Sequence, residues 1–146
     1  MNGNSTDILD RAIQAFEEGD LNSARTHLKM ILLEEKENFP ALCILGLIEA
    51  TQANYSEAID LLKRAININP NDASIQYNLA KCLSDSGAFQ ESVLHHKKAV
   101  ELAPNNPNAW LNYGKTLFDL LQFEQALYSY DQALGLNPKD RKSTRL

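Results

Sequence analysis

The sequence predicts an all-α fold in which pairs of antiparallel helices repeat along the chain. Between residues 108 and 138, apolar and small residues recur at spacings of three and four, which places them on one helical face. The same pattern recurs upstream at a constant step, because Pro70, Pro104 and Pro138 are evenly spaced. No insertion or deletion interrupts this period. A period held through four copies is the signature of a helical-repeat solenoid.

The four predicted repeats are equal in length and contiguous. We assign them to residues 5–38, 39–72, 73–106 and 107–140, after a frayed polar lead (1–4) and before a short basic tail (141–146). Each repeat holds two helices of about 14 residues joined by a short turn, and such helices pack antiparallel.

The first repeat departs from the pattern of the others. Arg11 takes an apolar position, Ile31 takes a small-residue position, and Lys36 stands where the later repeats carry proline. Terminal repeats are commonly atypical because one face meets water, so we interpret this repeat as a cap. Gly19-Asp20 marks its turn.

The middle repeats carry local signals and two unusual residues. Pro40 suits the first turn of a helix, and Asp72 is a candidate N-cap. Glu49 occupies a position where a large apolar residue is usual, and we expect a partly exposed carboxylate. His96 takes the position held by leucine in earlier repeats, and we expect a half-buried, hydrogen-bonded ring.

The fourth repeat places Gly114 and Ala126 where two helices must approach closely. Trp110, Gly114, Ala126, Tyr130, Ala133 and Pro138 resemble the pattern of the tetratricopeptide repeat family, and the resemblance covers nearly the whole chain. It implies a right-handed α-solenoid whose concave side is lined by the first helix of each pair.

Composition has the profile of a soluble globular protein and does not favour a nucleic-acid or membrane protein. The chain has 146 residues, 44% of them hydrophobic, and a net charge of −5, which disfavours polyanions and anionic membranes. No signal peptide or transmembrane run is visible, so we expect a cytoplasmic protein. Cys43 and Cys82 are expected to be reduced thiols.

No catalytic, metal or cofactor motif is found. Gly114-Lys115-Thr116 resembles the end of a phosphate-binding loop but lacks the upstream glycine and lies inside a predicted helix. His95 and His96 are adjacent and, with Cys82, give no metal-ligand spacing. We therefore expect a protein that is not an enzyme and that needs no cofactor.

The predicted concave face carries the best candidate site. A polar triplet, Asn-Lys-Asp at spacings of three and four, occurs in the third repeat and again at the same place in the fourth. The same slots of the second repeat hold apolar residues. The candidate ligand-binding residues are Asn78, Lys81, Asp85, Asn112, Lys115, Asp119, Ile44 and Leu47.

Two interpretations of the triplets remain open. The Lys–Asp pairs are also what a solvated helix face would carry. The asparagines favour a binding site, because Asn is a mediocre helix former whose amide can both donate to and accept from a peptide backbone. Repeats with asparagine in this slot are similar to those attached to protein O-GlcNAc transferases. The clamp that other tetratricopeptide repeats use for a terminal carboxylate lacks its lysine and asparagine, since Leu9 and Ile13 stand there.

The preferred prediction is thus a non-catalytic scaffold that binds a peptide segment of a partner protein. One alternative is the amino-terminal recognition segment of a longer glycosyltransferase or other modifying enzyme. The other is a self-assembly module that pairs as a homodimer through the last repeat. The candidate residues for this self-association are Leu127, Tyr130, Leu134 and Leu136. Separately, the terminal Thr144-Arg145-Leu146 matches the pattern of a PDZ ligand.

Overall fold

The protein is all-helical in a computed structural model that describes residues 2–136, with side chains from residue 5 onward. The described residues form eight α-helices and no strand, which confirms the predicted all-α class. The helices are α1 (Asn2–Glu17), α2 (Leu21–Glu34), α3 (Phe39–Thr51), α4 (Tyr55–Ile68), α5 (Ala73–Asp85), α6 (Phe89–Leu102), α7 (Pro107–Asp119) and α8 (Phe123–Leu136).

The two chain ends bear differently on the predictions. Helix α1 begins at Asn2, so residues 2–4 continue that helix rather than forming a separate lead. The predicted stop at Pro138 and the tail 141–146, with its PDZ-like terminus, lie outside the described residues.

Side-chain caps set the starts of several helices. The Asp20 carboxylate accepts from the Ser23 amide at 3.2 Å, and Asp72 accepts from the Ile75 amide at 3.0 Å, as predicted for Asp72. Asn38 accepts from the Ala41 amide at 3.0 Å. Each cap satisfies a backbone donor that the first helical turn leaves unpaired, which is worth about 1 kcal/mol.

The turn inside each helix pair uses the same left-handed backbone conformation. Its φ angle is 82° at Gly19, 60° at Ala53, 90° at Gly87 and 63° at Leu121, which are equivalent positions of the four repeats. Glycine adopts this conformation without steric cost, whereas alanine and leucine do not. The turn geometry is therefore retained even where the residue does not favour it.

The chain divides into two compact units, Met1–Pro70 and Asn71–Leu146. Within the first unit, α1 packs on α2, α2 on α3 and α3 on α4. Its core is mainly aliphatic and includes Leu28, Leu42, Ile48 and Leu62, each at most 1% exposed. Burying each of these side chains is worth about 1.5–3 kcal/mol.

Glu49 in this unit corrects the expectation of a partly exposed carboxylate. It is only 1% exposed, and its Oε1 accepts from Arg25 Nε at 2.6 Å. Its Oε2 accepts from Asn54 Nδ2 at 2.9 Å, and Arg25 also donates to the side chain of Gln52. The carboxylate is buried as an ion pair because both of its oxygens are satisfied.

The second unit contains α5–α8, in which consecutive helices pack together and α5 also touches α7. The predicted close approach at Gly114 is present, since a Cβ there would stand 2.8 Å from two ring atoms of Tyr130. It would also stand 3.3 Å from the backbone oxygen of Ala126. Glycine at this position thus lets α7 and α8 pack with the tyrosine ring between them.

Candidate functional site

The six polar candidates lie on α5 and α7, the first helices of the two pairs in the second unit. The charged candidates Lys81, Asp85, Lys115 and Asp119 are exposed, and Asn78 and Asn112 are half-buried. The buried residues of both helices, including Leu79 and Leu83 on α5, lie elsewhere on each helix. Because α5 touches α7, the structure brings the two triplets onto neighbouring helices.

The Asn112 amide is already partly engaged. Its Nδ2 donates to the Tyr77 hydroxyl at 2.8 Å, a bond between α7 and α5. An asparagine amide has two donor hydrogens and an acceptor oxygen, so this single bond leaves further capacity. Asn112 therefore joins the two helices and can still offer a donor and an acceptor.

The charged members of the triplet contribute differently. Lys81 Nζ lies 3.8 Å from Asp85 Oδ2, the spacing that a solvated helix surface also shows. Such an exposed pair adds only about 0.3–0.5 kcal/mol to stability. The lysine and aspartate can accordingly exchange partners at little cost.

The two apolar candidates belong to the first unit. Ile44 and Leu47 are half-buried on α3, beside the buried Leu45 and Ile48. Both side chains keep apolar surface available on this helix.

A buried polar cluster in the second unit was not predicted as a group. His96 is fully buried rather than half-buried, and its Nε2 lies 3.0 Å from Ser84 Oγ and 3.1 Å from Thr116 Oγ1. Ser84 Oγ also bonds Thr116 Oγ1 at 2.8 Å and Ser92 Oγ at 3.0 Å. The expected hydrogen bonds of His96 are present, and its ring stacks on Tyr113 with centroids 5.9 Å apart.

Burial sets the protonation of this cluster and of the nearby thiol. His96 Nδ1 is buried without a hydrogen-bond partner, and desolvation, with a smaller contribution from His95, lowers the pKa of His96 to about 4. The imidazole is therefore neutral at neutral pH. Burial, aided by Asp85, raises the pKa of Cys82 to about 11, so its thiol stays protonated and unreactive.

Two surface clefts are lined by residues other than the predicted candidates. One of about 1170 Å³ lies among α2, α3 and α4 of the first unit, where Leu32 and Leu33 contribute apolar surface beside charged side chains such as Lys29 and Glu57. The other, of about 410 Å³, lies among α6, α7 and α8 and contains Trp110, Tyr113 and Tyr128. Sequence reasoning missed both, although Tyr128 sits outside the repeat's packing pattern and could have signalled a surface role.

The residues proposed for self-association differ in exposure. Leu127 is 62% exposed and Leu136 is 40% exposed, whereas Tyr130 and Leu134 are half-buried. Tyr130 packs on Gly114, so much of its ring is already used inside the unit. Further exposed apolar side chains cluster near the turn between α7 and α8, and these are Phe118, Leu121 and Phe123.

Other kinds of site find no support in the part of the chain that the structure covers. Among residues 2–136, no group of three or more His, Cys, Asp or Glu side chains is placed to hold a metal ion. None of the helices α1–α8 is both long enough and apolar enough to cross a bilayer.

Comparison with known proteins gives family matches and structural similarity. A family model described as "TPR repeat" matches residues 46–87, and two described as "Tetratricopeptide repeat" match residues 73–106 and 97–128. No curated protein matches the chain.

Several solved structures resemble this chain. MamA from Desulfovibrio magneticus RS-1 is 18% identical with a TM-score of 0.84, and the alignment covers 97% of this chain and 78% of that one. Another MamA crystal structure is 23% identical with a TM-score of 0.85, covering 95% and 81%. At these identities the likeness shows the fold alone.

An O-GlcNAc transferase of Thermobaculum terrenum is also similar. It is 29% identical with a TM-score of 0.70, and the alignment covers 80% of this chain but only 22% of the transferase. The likeness of the repeats to those of such transferases, expected from the asparagine slot, is thereby confirmed. The chain belongs to the tetratricopeptide repeat family, and its helix pairs form an all-α helical-repeat solenoid.

Proposed function

We propose that this protein-interaction scaffold is non-catalytic and binds an extended peptide segment of a partner protein along the first helices of its pairs. The observation that carries the proposal is the repeated Asn-Lys-Asp row on the adjacent helices α5 and α7. The proposal takes the protein to be cytoplasmic, in keeping with Cys43 and Cys82 being thiols rather than a disulfide.

The chemistry of the row suits a peptide main chain. Half-buried Asn78 and Asn112 can pair with amide and carbonyl groups, since each carries both donors and an acceptor. Exposed Lys81 and Lys115 can pair with acidic side chains of the same peptide. Within the first unit, half-buried Ile44 and Leu47 on α3 would receive an apolar side chain of a peptide.

Peptides selected from a random library against the intact chain provide the test. Asn78→Ala with Asn112→Ala removes about two hydrogen bonds to the peptide, at about 0.5–1.5 kcal/mol each. We therefore expect affinity to fall about 5- to 150-fold, which isothermal titration can measure.

A matched control separates binding from structure. Tyr77→Phe removes the bond that Asn112 makes to α5 but leaves both asparagine amides in place. It should leave peptide affinity nearly unchanged. If it weakens binding as much as the double asparagine variant, or if the asparagine variant binds normally, the proposal is wrong.

A second candidate function rests on the transferase likeness. This chain would then be the recognition segment of a longer glycosyltransferase or other modifying enzyme, whose repeats select the substrate protein. The length of the natural open reading frame decides between the two, because a modifying enzyme needs a catalytic domain in addition to the repeats.

Self-assembly is a third candidate, favoured by the apolar surface at Leu127 and Leu136. Single solvent-exposed leucines are common on protein surfaces, but a cluster of them forms an apolar patch that promotes association. Sedimentation over a wide concentration range, with Leu127→Glu as control, measures it. A wild type that stays monomeric throughout would exclude this role.

A further inference from the structure

The cleft among α6, α7 and α8 combines aromatic rings with carboxylates. Trp110, Tyr113 and Tyr128 line it together with Glu101 and Glu124. Its volume of about 410 Å³ is within the range of ligand sites in proteins. The floor is firm, because Val100 and Leu117, which also line it, are only 4% and 1% exposed.

The aromatic rings form a fixed corner. The Trp110 and Tyr128 rings meet nearly at right angles, at 78° with centroids 6.0 Å apart. Tyr113 lies on Trp110 at 6.5 Å and 30°. The Trp110 indole N–H donates to the Pro104 carbonyl at 2.8 Å, which orients the ring by its edge. Tyr128 is 59% exposed, so a ligand can reach its ring.

The charge of the cleft is negative. Glu101 and Glu124 are both exposed, and Lys97 is the cation among the lining residues. The Glu101 carboxylate lies close enough to Tyr113 to help burial raise the pKa of the phenol. The lining side chains therefore carry one net negative charge beside electron-rich ring faces.

This combination does not follow from the repeat itself. The first unit has a cleft in the equivalent position, two repeats earlier, among α2, α3 and α4. There Leu33 stands at the position of Glu101 and Leu45 at that of Tyr113. The lining of that cleft contains no aromatic residue, and its Glu37 and Glu57 are outnumbered by Lys29, Lys36 and Arg64. The fold is therefore built without the aromatic corner and without a net negative cleft.

We propose that the cleft among α6, α7 and α8 binds an arginine side chain of a partner protein. A planar guanidinium can stack on an aromatic face while its fork of N–H groups donates to a carboxylate. Lysine lacks the planar group, and a methylated lysine cannot make as many hydrogen bonds to the two glutamates. The inference goes beyond the peptide row proposed above, because it concerns a different surface.

The two surfaces can be separated experimentally. An α-helix turns about 100° per residue, so the mean direction of Trp110, Tyr113 and Leu117 on α7 lies about 160° away from that of Asn112 and Lys115. Changes to the asparagine row therefore should not alter the cleft, and the reverse also holds.

The experiment uses the intact chain and peptides that differ at one central residue. Arginine, lysine, trimethyllysine and citrulline peptides are titrated while the indole N–H resonance and fluorescence of Trp110, the single tryptophan, are followed. We expect the arginine peptide to shift both signals at the lowest concentration. Citrulline keeps the shape of arginine but lacks its charge, so the affinity of the citrulline peptide should be at least about threefold lower than that of the arginine peptide.

Variants test the individual contacts. Tyr128→Ala and Glu124→Gln alter exposed side chains and should each weaken binding of the arginine peptide about three- to fivefold. Glu34→Gln is the matched control, since it removes an exposed carboxylate from α2 in the first unit. It should leave the titration unchanged.

Each alternative result overturns the proposal. Equal binding of citrulline and arginine peptides would show that charge is not recognised, and tighter binding of trimethyllysine would assign the cleft to methylated lysine. If Tyr128→Ala and Glu124→Gln bind normally, or if only the asparagine variant loses affinity, the arginine lies elsewhere.

Discussion

Acidification should destabilise the folded protein through His96, in a pH range where most carboxylates are still ionised. Burial lowers the pKa of His96 to about 4, against an ordinary value of 6.5. The unfolded chain therefore binds a proton that the folded chain does not, and stability falls as pH falls between these values. For these two pKa values, linkage gives a loss of about 1.3 kcal/mol from about pH 7.5 to about pH 5.5, and about 3 kcal/mol by about pH 4.

Urea denaturation at about pH 7.5 and at about pH 5.5 measures this loss of stability. It appears as a lower urea midpoint, while the dependence of the unfolding free energy on urea concentration keeps the same slope. His96→Leu is the matched control, because leucine occupies the equivalent positions Leu28 and Leu62 in the first two repeats. The variant removes the titrating group, so subtracting its pH dependence from that of the wild type isolates the contribution of His96. If wild type and variant lose the same stability between about pH 7.5 and about pH 5.5, the reasoning about His96 is refuted.

Three further predictions concern packing and backbone geometry. Arg25→Met leaves buried Glu49 without its ion pair and should cost about 3 kcal/mol by urea denaturation, whereas a loss below about 1 kcal/mol would show that the pair is not needed. Gly114→Ala places a Cβ 2.8 Å from the Tyr130 ring and should lower stability by about 1–3 kcal/mol; an unchanged melting temperature would contradict the close approach. Leu121→Gly relieves a φ of 63° and should stabilise by about 0.5–1 kcal/mol, so a lower melting temperature would argue against strain at this turn.

The fold was largely predictable because its determinants are local or periodic. The constant repeat step and the helical spacing place the helix pairs, and Asp72 acts as the predicted N-cap. Gly114 was predictable as a close approach because small residues recur at that position. Each of these signals is contained within one repeat or in its copy.

The misplaced residues depend on pairs of helices that the period does not specify. Glu49 was expected at the surface because its partner, Arg25, lies on another helix, in the preceding repeat. A charge in a core position together with an opposite charge on the preceding helix was the available signal. The cleft among α6, α7 and α8 was missed for the same reason, since its residues Glu101, Tyr113 and Tyr128 come from three different helices.

The hydroxyl and imidazole cluster also bears on misfolding. Near-identical repeats can pair out of register, and misassembly of this kind is a characteristic failure of repeat proteins. The positions of Ser84 and Thr116 are held by Ala50 and Cys82 one repeat earlier. A helix shifted by one repeat would thus face His96 without its hydroxyl partners, and an unsatisfied buried group costs about 1–3 kcal/mol. The cluster therefore marks the two interfaces of α6, with α5 and with α7, as distinct from their copies, and it favours native over shifted pairing during folding.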